Sequence, residues 1–166
     1  MHDGINQVYI VQINVNPQGG VPKYAVPYAE VTVNGVVGDK QRDRRYHGGP
    51  MRAVSLFSYE RIQALQTEGH SIAPGTTGEN LTVSGLPWET LQIGDGLRIG
   101  EQVRIVITGY ATPCKNIAES FESQAFKRIS QKLHPGWSRL YAKVLSEGTV
   151  RPDDRVVWEA NVKREA

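Results

Sequence analysis

The sequence predicts a mainly β protein, a mostly antiparallel closed β-barrel with a few helices. Many short runs rich in β-branched residues are separated by turn-forming residues, which is typical of barrels and sandwiches. The pair Asn34-Gly35 stands between two of these runs and is the strongest two-residue hairpin signal. Helical periodicity is confined to two segments. We expect residues 1–166 to form a single domain, because 166 residues can bury a substantial core.

Nine segments have the composition of β-strands. The segment 53–57 is a continuous apolar run of the kind found in buried strands. The predicted strands, in chain order, are 8–15, 31–33, 36–37, 53–57, 80–83, 97–99, 103–107, 139–145 and 155–158. The turn-rich stretch 16–23 is interpreted as a loop between early strands and not as a domain boundary.

Two helices are predicted. Ser58 can cap a helix over residues 59–66 that ends at Gly69. The second is expected over about residues 116–133, where apolar residues recur every four positions. These apolar residues are Ile117, Phe121, Ala125, Ile129 and Leu133.

Charge and cysteine content limit the classes of function. Nineteen basic and 17 acidic side chains give a net charge of +2, which does not indicate a large nucleic-acid footprint. One cysteine permits no internal disulfide and fits a reducing compartment. The sequence shows no signal-peptide pattern and no stretch long enough to span a membrane. We therefore expect a cytoplasmic protein that acts on a small molecule, with neither nucleic acid nor a membrane as partner.

Cys114 is the first candidate functional residue. It lies where the strand pattern 103–107 gives way to the helical pattern that starts near Ile117. A helix N-terminus and the adjacent Lys115 favour the thiolate, the form that attacks electrophiles, carries sulfur or binds a soft metal. The alternative is a buried structural cysteine that behaves as a small hydrophobe.

A basic, glycine-containing loop is the second candidate. In the run Arg44-Arg45-Tyr46-His47-Gly48-Gly49, glycines let backbone N–H groups approach an anion and arginine adds bidentate recognition of phosphate. The alternative is an ordinary turn in which a carbonyl satisfies His47. A hydrolase that pairs Cys114 with His47 also remains open at this point.

Asn80, in the run Gly78-Glu79-Asn80, is the third candidate because its amide offers two donors and an acceptor. The alternative is an asparagine that closes an Asx turn. The sequence contains no zinc-ligand pattern, no phosphate-binding loop of nucleotide hydrolases and no dinucleotide fingerprint.

The order of several short motifs is similar to that of the MOSC domain family, over about residues 8–158. These motifs are Gly38-Asp39, Asp43, His47-Gly48-Gly49 and Ala53-Val54, then Gly78-Glu79-Asn80-Leu81 and Gly85, then Ile93-Gly94-Asp95 and Ile99-Gly100, then Thr112-Pro113-Cys114-Lys115, and finally Val144 and Gly148-Thr149-Val150. The resemblance implies a mostly antiparallel β-barrel that binds the molybdenum cofactor, a pterin dithiolene with a terminal phosphate.

The resemblance also implies roles for individual residues. Cys114 matches the family cysteine, which ligates molybdenum in reductase members and was proposed as a sulfur carrier in others. Cys114 is thus the expected metal ligand and catalytic residue. The expected cofactor contacts are Arg45, His47, Gly48, Asn80, Thr112 and Lys115.

The implied activity is reduction of N-hydroxylated or related oxygenated substrates at a Cys-ligated molybdenum, with an electron-donor protein as partner. The alternative is a carrier of persulfide sulfur or of the cofactor, served by a sulfur-donor protein, without turnover of its own substrate. The sequence lacks the additional C-terminal segment and the extra N-terminal barrel domain of reductase relatives, which keeps this carrier role open. A nucleic-acid-binding barrel is a third possibility that the balanced charge disfavours.

Overall fold

The structure, a computed structural model, describes residues 7–40 and 49–162. Its strands are β1 (Tyr9–Val15), β2 (Tyr24–Val26), β3 (Ala29–Thr32), β4 (Gly35–Val36), β5 (Val54–Ser58), β6 (Leu81–Ser84), β7 (Gly96–Ile99), β8 (Val103–Ala111), β9 (Arg139–Ser146), β10 (Gly148–Val150) and β11 (Val156–Glu159). The α-helix α1 spans Tyr59–Thr67. The 3₁₀ helices span Pro50–Arg52, Trp88–Thr90, Lys115–Ser120, Glu122–Gln124 and Phe126–Ile129.

The strands form two sheets. The larger has eight strands in the order β11-β7-β8-β9-β5-β6-β1-β2, and the smaller has the order β10-β3-β4. The predicted mainly β class with few helices is confirmed. The closed barrel is not confirmed, because the described strands form two open sheets, with one isolated bridge between Tyr9 and Arg155.

Local sequence accounts for most of the strands. The Asn34-Gly35 hairpin is confirmed by the antiparallel pairing of β3 with β4, and Gly35 supplies the positive φ of +128°. β2 and β10 were not predicted, because each has only three residues and no apolar alternation. All nine predicted strands have a counterpart in the structure.

A β-α-β unit lies at the centre of the larger sheet. β5 and β6 are parallel neighbours, and such a pair needs a crossover connection, which α1 supplies. Ser58 caps α1 as predicted by accepting a hydrogen bond from the Arg61 N–H at 3.1 Å. Ile62 and Leu65 are buried, and the helix ends before Gly69, also as predicted. Within the described ranges, no helix is long and apolar enough to cross a membrane.

The predicted long helix over residues 116–133 is wrong. The segment forms three short 3₁₀ helices, and Ser123 and Gln124 have positive φ values that interrupt any continuous helix. Of the apolar residues that suggested a helix, Ile117, Phe121 and Ile129 are buried, whereas Ala125 and Leu133 are exposed. Phe121 packs against His70 at a ring-centroid distance of 5.3 Å. The four-residue period therefore did not mark one face of a continuous helix.

Candidate functional site

A cleft of about 230 Å³ opens beside Cys114. Its walls come from the loop before β2, the connection between α1 and β6, the end of β8 and the start of β9. The register of β8 and β9 pairs Ala111 with Arg139. This pairing places the Cys114 segment, three residues after β8, beside the first residues of β9.

Cys114 is a half-buried free thiol at the start of the 3₁₀ helix Lys115–Ser120. Its carbonyl oxygen accepts a hydrogen bond from the Ile117 N–H at 3.1 Å, which closes the first turn. A six-residue 3₁₀ helix aligns few peptide dipoles, so the predicted helix-dipole contribution to a thiolate is small. Cys114 nevertheless lines a cleft, and access of this kind is what nucleophilic and metal-binding thiols require.

Arg139 is a site residue that the sequence analysis missed. The residue is half-buried and lines the Cys114 cleft. Its Nη1 donates to the Thr77 carbonyl oxygen at 2.6 Å, whereas its Nε is buried and has no acceptor among the described residues. Burial lowers the pKa of the Arg139 guanidinium, and the nearby Tyr141, Glu79 and Cys114 oppose that shift.

The available signal for Arg139 was the two-residue period of β9. Leu140, Ala142 and Val144 are buried, so Arg139 and Tyr141 share the opposite face of the strand. Both of these residues line the cleft. The sequence pattern indicates only that Arg139 lies in a strand. Its position beside Cys114 depends on the β8–β9 register, which local sequence does not give.

Glu79 is a fully buried carboxyl group beneath the cleft. One of its oxygens accepts hydrogen bonds from the Gly75 N–H and the Thr82 hydroxyl, each at 3.0 Å. The other accepts from the Thr77 hydroxyl, also at 3.0 Å. Burial raises the pKa of Glu79, and these hydrogen bonds only partly offset the loss of hydration.

The raised pKa of Glu79 predicts a specific pH dependence of stability. An unfolded Glu79 titrates near 4.5, so above that pH the native state holds a proton that the unfolded state has lost. The free energy of unfolding is therefore expected to fall as pH rises from about 4.5 to the higher native pKa. Urea unfolding at a series of pH values measures this. The decrease should be smaller in Glu79→Gln, and an identical pH profile in the two proteins would contradict the assignment.

Asn80, a predicted cofactor contact, is buried and hydrogen-bonded to the protein itself. Its Nδ2 donates to Asp39 Oδ2 at 2.9 Å, and its Oδ1 accepts from the Ser55 N–H at 3.1 Å. The same Asp39 oxygen lies 2.5 Å from Lys23 Nζ, and Lys23 lines the cleft. Among the described residues, Asn80 thus holds Asp39 by a hydrogen bond, and Asp39 in turn holds Lys23 by an ion pair.

The other predicted residues have different locations. Thr112 is exposed and lines the cleft, whereas Lys115 is exposed beside Cys114 and is not part of the lining. Lys40 also lines the cleft. The predicted contacts Arg45, His47 and Gly48 lie outside the described residues. Among the residues that are described, no group of three or more His, Cys, Asp or Glu side chains is arranged to hold a metal ion.

The fold and the cleft that contains Cys114 define a small, mainly β domain. Residues 43–157 match the family model of the MOSC domain, so the chain belongs to that family. It is similar to the uncharacterized protein YflK of Bacillus subtilis (strain 168), with 33% identity over 116 residues. That match covers 69% of this chain and 51% of YflK, so the chain spans about half the length of that relative.

Two further relatives and a solved structure agree with this placement. Protein YiiM of Escherichia coli (strain K12) is 27% identical over 155 residues, which cover 88% of this chain and 67% of YiiM. A protein named "Reductase" from Gibberella moniliformis is 26% identical over 130 residues, 75% of this chain and 22% of that protein. The crystal structure of YiiM from Geobacillus stearothermophilus superposes with a TM-score of 0.69 at 22% identity, covering 91% of this chain and 74% of that one, and it shows the shared fold.

Proposed function

We propose that this protein binds the molybdenum cofactor through Cys114 and reduces an N-hydroxylated or related oxygenated small molecule. The observation that carries the proposal is the half-buried free thiol that faces a cleft in a MOSC domain, a family linked to molybdenum-cofactor binding. A soft thiolate is a suitable ligand for such a metal. The similarity to a protein named "Reductase" supports the direction of the redox reaction.

The described residues fit this cofactor. The cofactor supplies a redox-active metal, and Cys114 provides a soft sulfur ligand for it. Arg139 and Lys40 place positive charge along the cleft, where the anionic parts of the cofactor need it. Ser55 and Thr112 add hydroxyl groups to the lining, which can orient a bound ligand by hydrogen bonding.

The remaining contacts and partners are part of the same proposal. We propose that Arg45, His47, Gly48, Asn80 and Lys115 contribute to cofactor binding, with Asn80 acting by holding Asp39 and, through it, Lys23. A reduction of this kind needs electrons from a donor protein. We also propose a cytoplasmic location, since a single reduced cysteine fits that compartment.

A closed barrel in a single domain remains part of the proposal. Contacts between β1 and the segment before β11 support it: the Ile10 N–H donates to the Asp154 carbonyl oxygen and the Val156 N–H to the Val8 carbonyl oxygen, each at 2.9 Å. Together with the bridge between Tyr9 and Arg155, these bonds bring two distant strands of the larger sheet together.

A second function, sulfur carriage, is favoured by the same thiol. Cys114 would hold a persulfide, and the guanidinium of the half-buried Arg139 in the same cleft would stabilise its negative charge. The Cys114 thiolate would attack the outer sulfur of a persulfide on the donor protein, whose own sulfur leaves as a thiolate, so no oxidant is needed. Mass spectrometry after incubation with such a persulfide donor tests this function. The native protein should gain the mass of one sulfur atom at Cys114, and an unmodified Cys114 would reject the persulfide version.

Molybdenum content tests the main proposal. In a host that makes the cofactor, the native protein is expected to retain molybdenum near one atom per chain, whereas Cys114→Ser should lose at least about tenfold because a hydroxyl is a poor ligand for a soft site. Elemental analysis of the purified proteins measures this. Thr67→Ser, a conservative change on α1 away from the cleft, controls for expression and handling. Equal molybdenum in native protein and Cys114→Ser would refute the ligand role.

A further inference from the structure

The guanidinium of Arg139 provides an unused donor in the cleft that contains Cys114. Its Nη1 is engaged by the Thr77 carbonyl oxygen at 2.6 Å. Its Nε is buried, and none of the described residues accepts a hydrogen bond from it. Because a buried charged donor without an acceptor is costly, a ligand that supplies the acceptor gains binding energy there.

The neighbouring carboxylates are engaged elsewhere. Asp39 pairs with Lys23, with 2.5 Å between Oδ2 and Nζ. Both oxygens of Glu79 accept hydrogen bonds from its own loop and from Thr82. Within the described residues, neither carboxylate forms an ion pair with Arg139. The positive charge of Arg139 is therefore available to a ligand in the cleft.

We propose that Arg139 binds an anionic group, a carboxylate or another oxyanion, of the ligand that occupies the Cys114 cleft. The bond from Nη1 to Thr77 leaves the edge formed by Nε and Nη2, with which arginine can bind two oxygens of one anion. Lys40 adds positive charge to the same cleft. This inference rests on the proposed function, which places the ligand in this cleft. What it adds is that the ligand carries a negatively charged group.

The charge preference at Cys114 can be measured by alkylation of the cofactor-free protein. Anionic iodoacetate and neutral iodoacetamide react with the same thiolate, so the ratio of their rates does not depend on how much of the thiol is ionised. Cys114 is the single cysteine, so every cysteine alkylation event reports this site. Arg139→Gln is expected to lower the iodoacetate-to-iodoacetamide ratio about fivefold or more. Arg139→Lys keeps the positive charge, so its iodoacetate-to-iodoacetamide rate ratio should stay close to the native value.

Arg98→Gln is the matched control, since it removes the same charge from an exposed position on β7. Arg98 is exposed to solvent and is not part of the cleft lining, so screening should hold the ratio of Arg98→Gln within about twofold of the native value. A ratio for Arg139→Gln that is also within about twofold of native would overturn the inference. Should Arg139→Gln fail to fold, the native protein provides a second test. Sulfate should slow iodoacetamide alkylation more than chloride at equal ionic strength, and equal rates would overturn the inference.

Molybdenum content separates the two possible sources of the anion. If Arg139 holds an anionic part of the cofactor, Arg139→Gln loses molybdenum. If it holds the substrate, molybdenum is retained and KM rises. Failure of the proposed function would give a different result. The native protein and Cys114→Ser would then both lack molybdenum, whereas the iodoacetate-to-iodoacetamide ratio of Arg139→Gln would still fall.

Discussion

Replacing Glu79 with alanine is expected to lower the free energy of unfolding by about 3–5 kcal/mol. The change removes the acceptor of three hydrogen bonds and leaves the Gly75 N–H and the hydroxyls of Thr77 and Thr82 buried around a cavity. Urea unfolding monitored by circular dichroism measures the effect.

Glu79→Gln is the matched control for this prediction. Its carbonyl oxygen can still accept from Gly75 and Thr82, and its amide nitrogen can donate to the Thr77 hydroxyl. The expected loss is therefore only about 1 kcal/mol. If the alanine and glutamine variants were equally stable, the hydrogen bonds at Glu79 would not be responsible for holding this loop.

Secondary structure was predictable where it depends on local chemistry. The Asn34-Gly35 turn and the Ser58 cap each act over a few residues, and both are present in the structure. Local chemistry could not show that residues 116–133 lack the long helix that their apolar period predicted. Of the five apolar residues in that period, Ile117, Phe121 and Ile129 are buried. Contacts with the loop after α1 fix part of the segment, through the Phe121–His70 ring contact and the hydrogen bond from the Glu122 N–H to His70 Nδ1 at 3.0 Å. Tertiary contacts thus determined the local conformation.

The candidate site was predictable only in part. Cys114 stands out in the sequence as the one thiol, and it lies in a cleft. Arg139 does not stand out, because its function depends on strand pairing between β8 and β9. The amide of Asn80 bonds to Asp39 among the described residues, and its role in cofactor binding stays a prediction. Sequence indicates which groups can react or bind, whereas register and burial decide which of them meet.

The connection between α1 and β6 links stability to the candidate site. It contains Gly75 and Glu79, which hold each other through the hydrogen bond from the Gly75 N–H to Glu79. It also contains Thr77, which engages Arg139. A change in this loop should therefore affect the cleft as well as the core, although no residue of the loop is a proposed metal ligand.

Gly75→Ala is expected to lower the free energy of unfolding by about 3 kcal/mol or more and to reduce molybdenum content. Gly75 has a φ of +87°, and a Cβ at this position would lie 2.4 Å from the Lys23 carbonyl oxygen. The Lys23 N–H in turn donates to the Gly75 carbonyl oxygen at 2.8 Å. Relief of the overlap must therefore move Lys23, which lines the cleft.

Gly69→Ala separates backbone strain from this steric overlap. Gly69 also has a positive φ, +104°, but a Cβ there would meet nothing within 4 Å. Strain alone should cost about 1 kcal/mol and leave molybdenum content unchanged. Urea unfolding and elemental analysis of both variants give the comparison. Equal destabilisation would show that the close approach of Gly75 to Lys23 has no energetic consequence. A stable Gly75→Ala with normal molybdenum would show that the cleft tolerates displacement of Lys23.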